Sequence, residues 1–228
     1  MENNERSIQL LGSERFAKLQ TAKVAVLGLG GVGGAAVEAL ARSGIGTLLI
    51  CDYDTVAPGN INRQLIADCT VIGESKVDLW TKRLHSIHPT LDLRAHSLKL
   101  TPDNLTELDL PSYDVVLDCL DTVAVKIALG IAAESQGFKL ISSGGMAKRL
   151  DPTALRFGDI YETNYDPLFR IMRRGLRRVG VKGLEVIYST EPIDPEVQAR
   201  SGSGLPSMIF VPVTAGLRLA HRTVELLS

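Results

Sequence analysis

Apolar positions follow two rhythms along the chain. Short apolar runs at Lys23–Leu27, Thr47–Cys51, Asp114–Asp118 and Lys139–Ser143 are bounded by Gly or charged residues, and they predict buried strands. Gly34–Ser43, Ser75–Ile87 and Val123–Gln136 carry the three-to-four-residue spacing of helices. A short helix over Leu11–Gln20 precedes the first strand, and a further strand is expected near Asp92–His96. Strand and helix alternate, which predicts an α/β fold: a mostly parallel sheet with helices on both faces, joined by right-handed crossovers.

The last third is less regular. Leu155–Asp159 and Glu185–Ser189 read as strands, Asp166–Arg178 and Val213–Leu227 as helices. Thr190–Pro206 carries three prolines and S-G-S-G, the chemistry of a mobile surface loop that can serve as a lid. No repeat or linker divides the 228 residues, so the expectation is a single domain over 1–228, with a nucleotide-binding part at about 20–145 and a substrate-side part at about 146–228.

Composition adds bounds. Hydrophobic residues make up 45 % and charged residues 22 %, enough apolar surface for a packed core. A net charge of −1 gives no overall attraction for a polyanion, so a nucleic-acid partner needs a local basic patch. The opening MENNERSIQL has no signal-peptide pattern and no apolar run reaches the length of a bilayer span, so the chain reads as cytoplasmic, without membrane insertion. Cys51, Cys69 and Cys119 form no C-x-x-C pair, which excludes a disulfide framework and a structural zinc site.

The chemistry starts at G-L-G-G-V-G, placed between a strand and a helix. Gly28 permits a tight turn, Gly30 a close approach of backbone to phosphate, and Gly33 close packing of helix on strand, the Rossmann-type arrangement. Asp52, at the end of the second strand, is placed to accept ribose hydroxyls, and to this point NAD and ATP fit equally. The loop N-I-N-R-Q then brings Asn60, Asn62, Arg63 and Gln64, and Lys76 opens the next helix. Such cations suit polyphosphate, because nucleotidyl transfer depends on neutralising the leaving group and holding it in line; as isolated residues they also read as solvated surface charges. In V-V-L-D-C-L-D-T, Asp118 and Asp121 sit at the carboxyl edge of the sheet, where Asp121 either holds Mg2+ or caps the following helix.

Taken together, G-L-G-G-V-G, D-Y-D-T-V, N-I-N-R-Q, G-E-S-K and D-C-L-D resemble the superfamily of ubiquitin-activating, molybdopterin-synthase-adenylating and thiamine-biosynthesis-adenylating enzymes, over residues 6 to 145. The resemblance implies ATP as cofactor, with Gly28, Gly30, Gly33, Asp52, Asn60, Arg63, Gln64 and Lys76 around it. It implies Mg2+ on Asp121, and a catalytic group of Arg6, Arg63, Lys76 and Asp121. Arg6, in R-S-I-Q-L-L-G, resembles an arginine that reaches into the partner's site, which implies a homodimer. The implied reaction is attack of a carboxylate on ATP to give an acyl adenylate and pyrophosphate. No cysteine follows Cys119, so a late thiol nucleophile is missing, and capture of the adenylate by the substrate itself is expected.

K-R-L-D-P-T from Lys148, D-P-L-F-R-I-M-R-R-G-L-R-R from Asp166 and V-I-Y-S-T-E-P from Val186 resemble the branch that dehydrates threonylcarbamoyladenosine in tRNA, where the activated threonyl carboxylate closes into a ring. Independently, Arg170, Arg173, Arg174, Arg177 and Arg178 recur at helical spacing on one face, with Leu168, Met172, Leu176 and Val179 toward the core. Between Lys148 and Lys182, nine Lys or Arg stand against four Asp or Glu, a net +5 that leaves −6 for the rest of the chain. That asymmetry is either a tRNA-binding patch or an ordinary solvated face. Other readings remain open: adenylation of another carboxylate such as a small sulfur-carrier C-terminus, with sulfur-transfer or cysteine desulfurase partners; an NAD-dependent oxidoreductase; and a non-catalytic partner subunit.

Overall fold

The computed structural model describes residues 4–228. Seven strands form one sheet: β1 (Lys23–Leu27), β2 (Thr47–Asp52), β3 (Asp92–Ser97), β4 (Val115–Asp118), β5 (Leu140–Ser143), β6 (Leu155–Asp159) and β7 (Glu185–Ser189). Their order is β3-β2-β1-β4-β5-β7-β6, all pairs parallel except β6 with β7. The helices are α1 (Glu5–Leu11), α2 (Ser13–Thr21), α3 (Gly31–Arg42), α4 (Lys76–Ile87), α5 (Val123–Gln136), α6 (Pro167–Arg178), α7 (Pro195–Ser201) and α8 (Phe210–Leu227).

The continuous apolar runs are explained by burial on both faces. Val24, Val26, Leu48, Ile50, Val115, Leu117 and Ile141 point to one side, where α3, α4 and α8 pack around the fully buried Trp80. Their neighbours Ala25, Leu27, Leu49, Cys51, Val116, Leu140 and Val186 point to the other, against Val125 and Leu129 of α5 and Phe169, Met172 and Leu176 of α6. A period of two along each strand therefore separates two cores.

Several boundaries differ from the sequence expectation. The N-terminal segment is two helices, because Gly12 adopts φ +86° and breaks the run. The first crossover helix starts at Gly31 rather than Gly34, since the glycines lie inside its first turn. Thr190–Pro206, expected as an irregular lid, contains α7, started by Asp194 accepting from the Glu196 amide. The last helix starts at Phe210, with Pro212 in the first turn, where a missing N–H costs nothing.

Glycine is required at Gly33, where an added Cβ would lie 1.8 Å from the carbonyl oxygen of Gly28. At Gly28 the chain has φ +90° and passes so near Cys119 that a Cβ would lie 2.8 Å from its carbonyl oxygen. Gly33→Ala is expected to lower stability by at least about 1–3 kcal/mol, since backbone on both sides must shift; an unchanged urea midpoint would contradict this packing.

Candidate active site

Parallel strands place their carboxyl ends along one edge, and the chain leaves each there as a loop. The loops after β1, β2, β3, β4 and β5, with Leu205, Ser207 and Pro212 from the C-terminal segment, enclose a cleft of about 400 Å³. Of the residues expected from sequence, Gly28, Gly30, Asp52, Arg63, Gln64, Lys76 and Asp121 line it. Gly33 lies beneath it as a packing residue. The Asn60 side chain accepts from the Ala57 amide at 3.0 Å, and the residue closes its own 3-10 turn instead of lining the cleft. Arg6 is exposed on α1, outside the lining of this chain's own cleft.

Asp52 is 8 % exposed, and its two oxygens accept the amides of Leu29 at 2.6 Å and Asp54 at 2.9 Å. It therefore ties the glycine turn to the loop after β2. A carboxylate has about four acceptor positions, so about two remain for donors on a ligand.

Lys76 departs from the sequence expectation of an exposed charge. It is 3 % exposed at the first position of α4, with Nζ 2.9 Å from Asp54 Oδ2. An ammonium at a helix N-terminus opposes the macrodipole, and burial adds to the cost. Asp54 offsets part of this. The same placement concentrates positive potential on the cleft wall, which favours phosphate. Arg63 is half-buried, its Nη1 donating to the Gly59 carbonyl at 2.6 Å and to Asn62 Oδ1 at 3.0 Å, so a short loop holds the guanidinium at the cleft. Among the described residues the buried Gln64 Oε1 has no hydrogen-bond partner, a deficit of about 1–3 kcal/mol that a donor on a ligand would remove.

Asp121 stands exposed at the cleft mouth and accepts only from its neighbour Thr122, at 3.3 Å, among the described residues. It does not cap α5, whose N-cap is Thr122, without a side-chain cap bond. The carboxylate is thus available to a cation. No group of three or more His, Cys, Asp or Glu forms a metal cage among the described residues. One carboxylate plus phosphate oxygens is a donor set that suits Mg2+, which keeps several waters.

Below the cleft lies a pair that sequence reasoning missed. Lys126 and Asp118 are both fully buried, with Nζ 2.8 Å from Oδ2. Ser142 Oγ donates to Asp118 Oδ2 at 2.6 Å, and the Leu120 amide to Oδ1 at 3.2 Å. The pair therefore fixes the turn that presents Asp121. The sequence signal available was a lysine amid the apolar positions of α5. Asp54, Lys99 and Thr101 also line the cleft without having been singled out; D-Y-D places Asp54 two residues beyond Asp52.

Desolvation holds the Cys51 and Cys119 thiols protonated, each pushed up to about 12, and an enzyme thiolate is correspondingly disfavoured. Cys119→Ala is expected to retain adenylation within about twofold and to leave the pH profile unchanged between about pH 7 and 9; loss of turnover with retained fold would restore a thiol relay. None of the four histidines lines the cleft, so no histidine is placed there as a proton donor for hydride transfer.

On α6 the five arginines do not form one free face. Arg170, Arg174, Arg177 and Arg178 are exposed, and Arg177 stacks on the Tyr161 ring at 4.9 Å. Arg173 is turned inward, with Nη1 donating to Thr163 Oγ1 at 2.5 Å and to the Thr163 carbonyl at 3.1 Å. Val179, expected in the core, is 56 % exposed because α6 ends one residue before it.

The ThiF family model matches residues 3–168. The chain is 38 % identical to the tRNA threonylcarbamoyladenosine dehydratase of Bacillus subtilis, over 96 % of this chain and 92 % of that protein. It is 32 % identical to the Escherichia coli enzyme of the same name, over 81 % and 72 %. The structure of the Escherichia coli enzyme in complex with ATP superposes with a TM-score of 0.91 at 28 % identity, covering 99 % of this chain and 93 % of that one.

Proposed function

We infer, from the premise that this chain belongs to the ThiF family, that it is an ATP-dependent enzyme that adenylates the threonyl carboxylate of threonylcarbamoyladenosine in tRNA and dehydrates it by cyclisation. What carries this reading is the convergence of Asp52, Arg63, Gln64, Lys76 and Asp121 on one cleft, in a chain 38 % identical over 96 % of its length to a dehydratase of that substrate.

In the proposed mechanism Asp52 holds the ribose and the Gly28–Gly33 turn receives the phosphates. Lys76 and Arg63 stabilise charge as a carboxylate oxygen attacks the α-phosphorus and pyrophosphate leaves. A group of the same modified residue then attacks the acyl carbon and AMP departs carrying the carboxylate oxygen, so the product has lost the elements of water. Asp121 would hold Mg2+, which when bound supplies charge neutralisation on the phosphates.

Arg6 acts, in this reading, in the cleft of a second copy. In support, α1 buries none of its residues, and Leu10 is 86 % and Leu205 72 % exposed, apolar area that a homodimer would cover. No described helix is long and apolar enough to cross a membrane, and the tRNA substrate fits a cytoplasmic setting.

The exposed arginines of α6 are proposed to meet tRNA phosphates. Converting Arg170, Arg174 and Arg178 together to Gln is expected to lower the slope of log affinity against log salt by roughly 2, with stability unchanged. Equal slopes would remove α6 from the tRNA surface. The function itself is tested by pyrophosphate release: ATP and Mg2+ should give it with tRNA bearing threonylcarbamoyladenosine and not with the unmodified transcript, whereas release with a sulfur-carrier C-terminus alone would favour that other carboxylate.

A further inference from the structure

A second cavity, of about 380 Å³, adjoins the cleft and is used by nothing described above. It is lined by Lys148, Arg149 and Leu150 on one side and by Val197, Arg200 and Ser201 of α7 with Pro206–Met208 on the other. Two segments form the partition. Met146 and Ala147 face the nucleotide cleft while Lys148–Leu150 face the second cavity, and Ser207 lines both. The Lys148 amide donates to the Pro206 carbonyl at 2.8 Å, and Lys148 Nζ reaches Gln198 Oε1 at 2.9 Å, so the segments are tied together.

The unusual feature is Arg149. It is only 3 % exposed, yet Nε and Nη1 are buried without a hydrogen-bond partner among the described residues, while Nη2 donates to the Tyr165 carbonyl. No carboxylate pairs with it within 4.0 Å among the described residues. The acids nearest in field are otherwise engaged: Asp166 accepts the amides of Gly145, Leu168 and Phe169, and Glu191 those of Leu150 and Asp151. Ser201 Oγ, on the opposite wall, is also buried and unpartnered. Desolvation pulls the Arg149 guanidinium below its ordinary range. A buried, unpaired guanidinium is costly to keep and marks a place where an oxyanion belongs. Val197, Pro206 and Met208 add an apolar wall of the kind that accepts a flat ring.

We propose that this second cavity seats the modified nucleotide of the substrate, an oxyanion of it neutralising Arg149 and its base lying against Val197, Pro206 and Met208. This rests on the tRNA reading above. It places the substrate beside the nucleotide cleft, with which this cavity shares Ser207. The oxyanion is the threonyl carboxylate before activation or a backbone phosphodiester of the anticodon loop; both offer oxygen acceptors to the unpartnered Arg149 nitrogens.

The test uses the full chain with Arg149→Gln and, in case that side chain is needed for folding, Val197→Trp, which fills the cavity from α7 and keeps the arginine at 149. Dissociation constants are measured for three probes: ATP, the free nucleoside threonylcarbamoyladenosine, which has the carboxylate and no phosphate, and the unmodified anticodon stem-loop, which has phosphates and no carboxylate. Both variants are expected to bind ATP within about twofold of wild type and to weaken at least one of the other probes by at least about tenfold, Arg149→Gln by the loss of charged hydrogen bonds and Val197→Trp by occupying the space of the base. Loss confined to the nucleoside identifies the carboxylate; loss confined to the stem-loop identifies a phosphodiester. Wild-type constants for both probes in folded, ATP-binding variants would overturn the cavity assignment while leaving the enzyme reading intact. Wild-type protein that binds neither probe yet releases pyrophosphate with the modified tRNA would overturn the cavity assignment alone; wild-type protein that does neither would remove the tRNA reading and this inference with it.

Discussion

Replacing Lys76 with methionine is expected to slow adenylate formation by about 10²–10³-fold, the size of effect seen when one preorganised charge-stabilising donor is removed, while the protein stays folded and still binds ATP. Methionine keeps the buried stem and removes only the ammonium. Alanine at the same position would also empty buried volume at the start of α4, where Lys76 is 3 % exposed, and is expected to cost about 1–3 kcal/mol of stability besides. The two variants together separate chemistry from packing. Single-turnover pyrophosphate release and urea midpoints measure both; a Lys76→Met protein with wild-type turnover would take the lysine out of the mechanism.

The second large effect concerns stability. Lys126→Met leaves Asp118 as an uncompensated charge at zero exposure, with an expected loss of about 3–5 kcal/mol, a large share of the roughly 5–15 kcal/mol that holds a domain together. The double change Lys126→Met with Asp118→Asn removes the charge and keeps acceptors and donors for Leu120 and Ser142, so it should recover most of that loss. Its activity should recover with its stability, since the Leu120 bond that fixes the turn carrying Asp121 is kept. Urea denaturation of the two single variants and the double gives the coupling directly, and additive losses would show that the two groups do not act as a pair.

How much of this was legible beforehand follows from which interactions are local. The strands at Lys23–Leu27, Leu155–Asp159 and Glu185–Ser189 and the helix Val123–Gln136 have the bounds the sequence predicts, because in each the apolar period and the flanking polar or glycine residues agree. The glycine turn and Asp52 were equally plain, since their spacing is set within one βαβ unit. Tertiary facts were not. Nothing near Lys76 signals that Asp54, twenty-two residues earlier, will let it be buried. Arg173 reads like its four neighbours until Thr163 is found beneath it. The prolines of Thr190–Pro206 suggested an irregular loop, yet Pro195 sits at the first turn of α7, where proline favours a helix start. Arg149 and Ser201 line one cavity only because α7 folds over the Lys148–Leu150 segment.

ATP is expected to be consumed in driving loss of water from a carboxylate-bearing tRNA nucleoside. The most direct measurement follows AMP formed and the nucleosides of the digested tRNA in the same reaction, by mass spectrometry. One AMP for each threonylcarbamoyladenosine that loses the elements of water is the result expected; AMP formed while the nucleoside keeps its mass, or dehydration without ATP, would contradict the account.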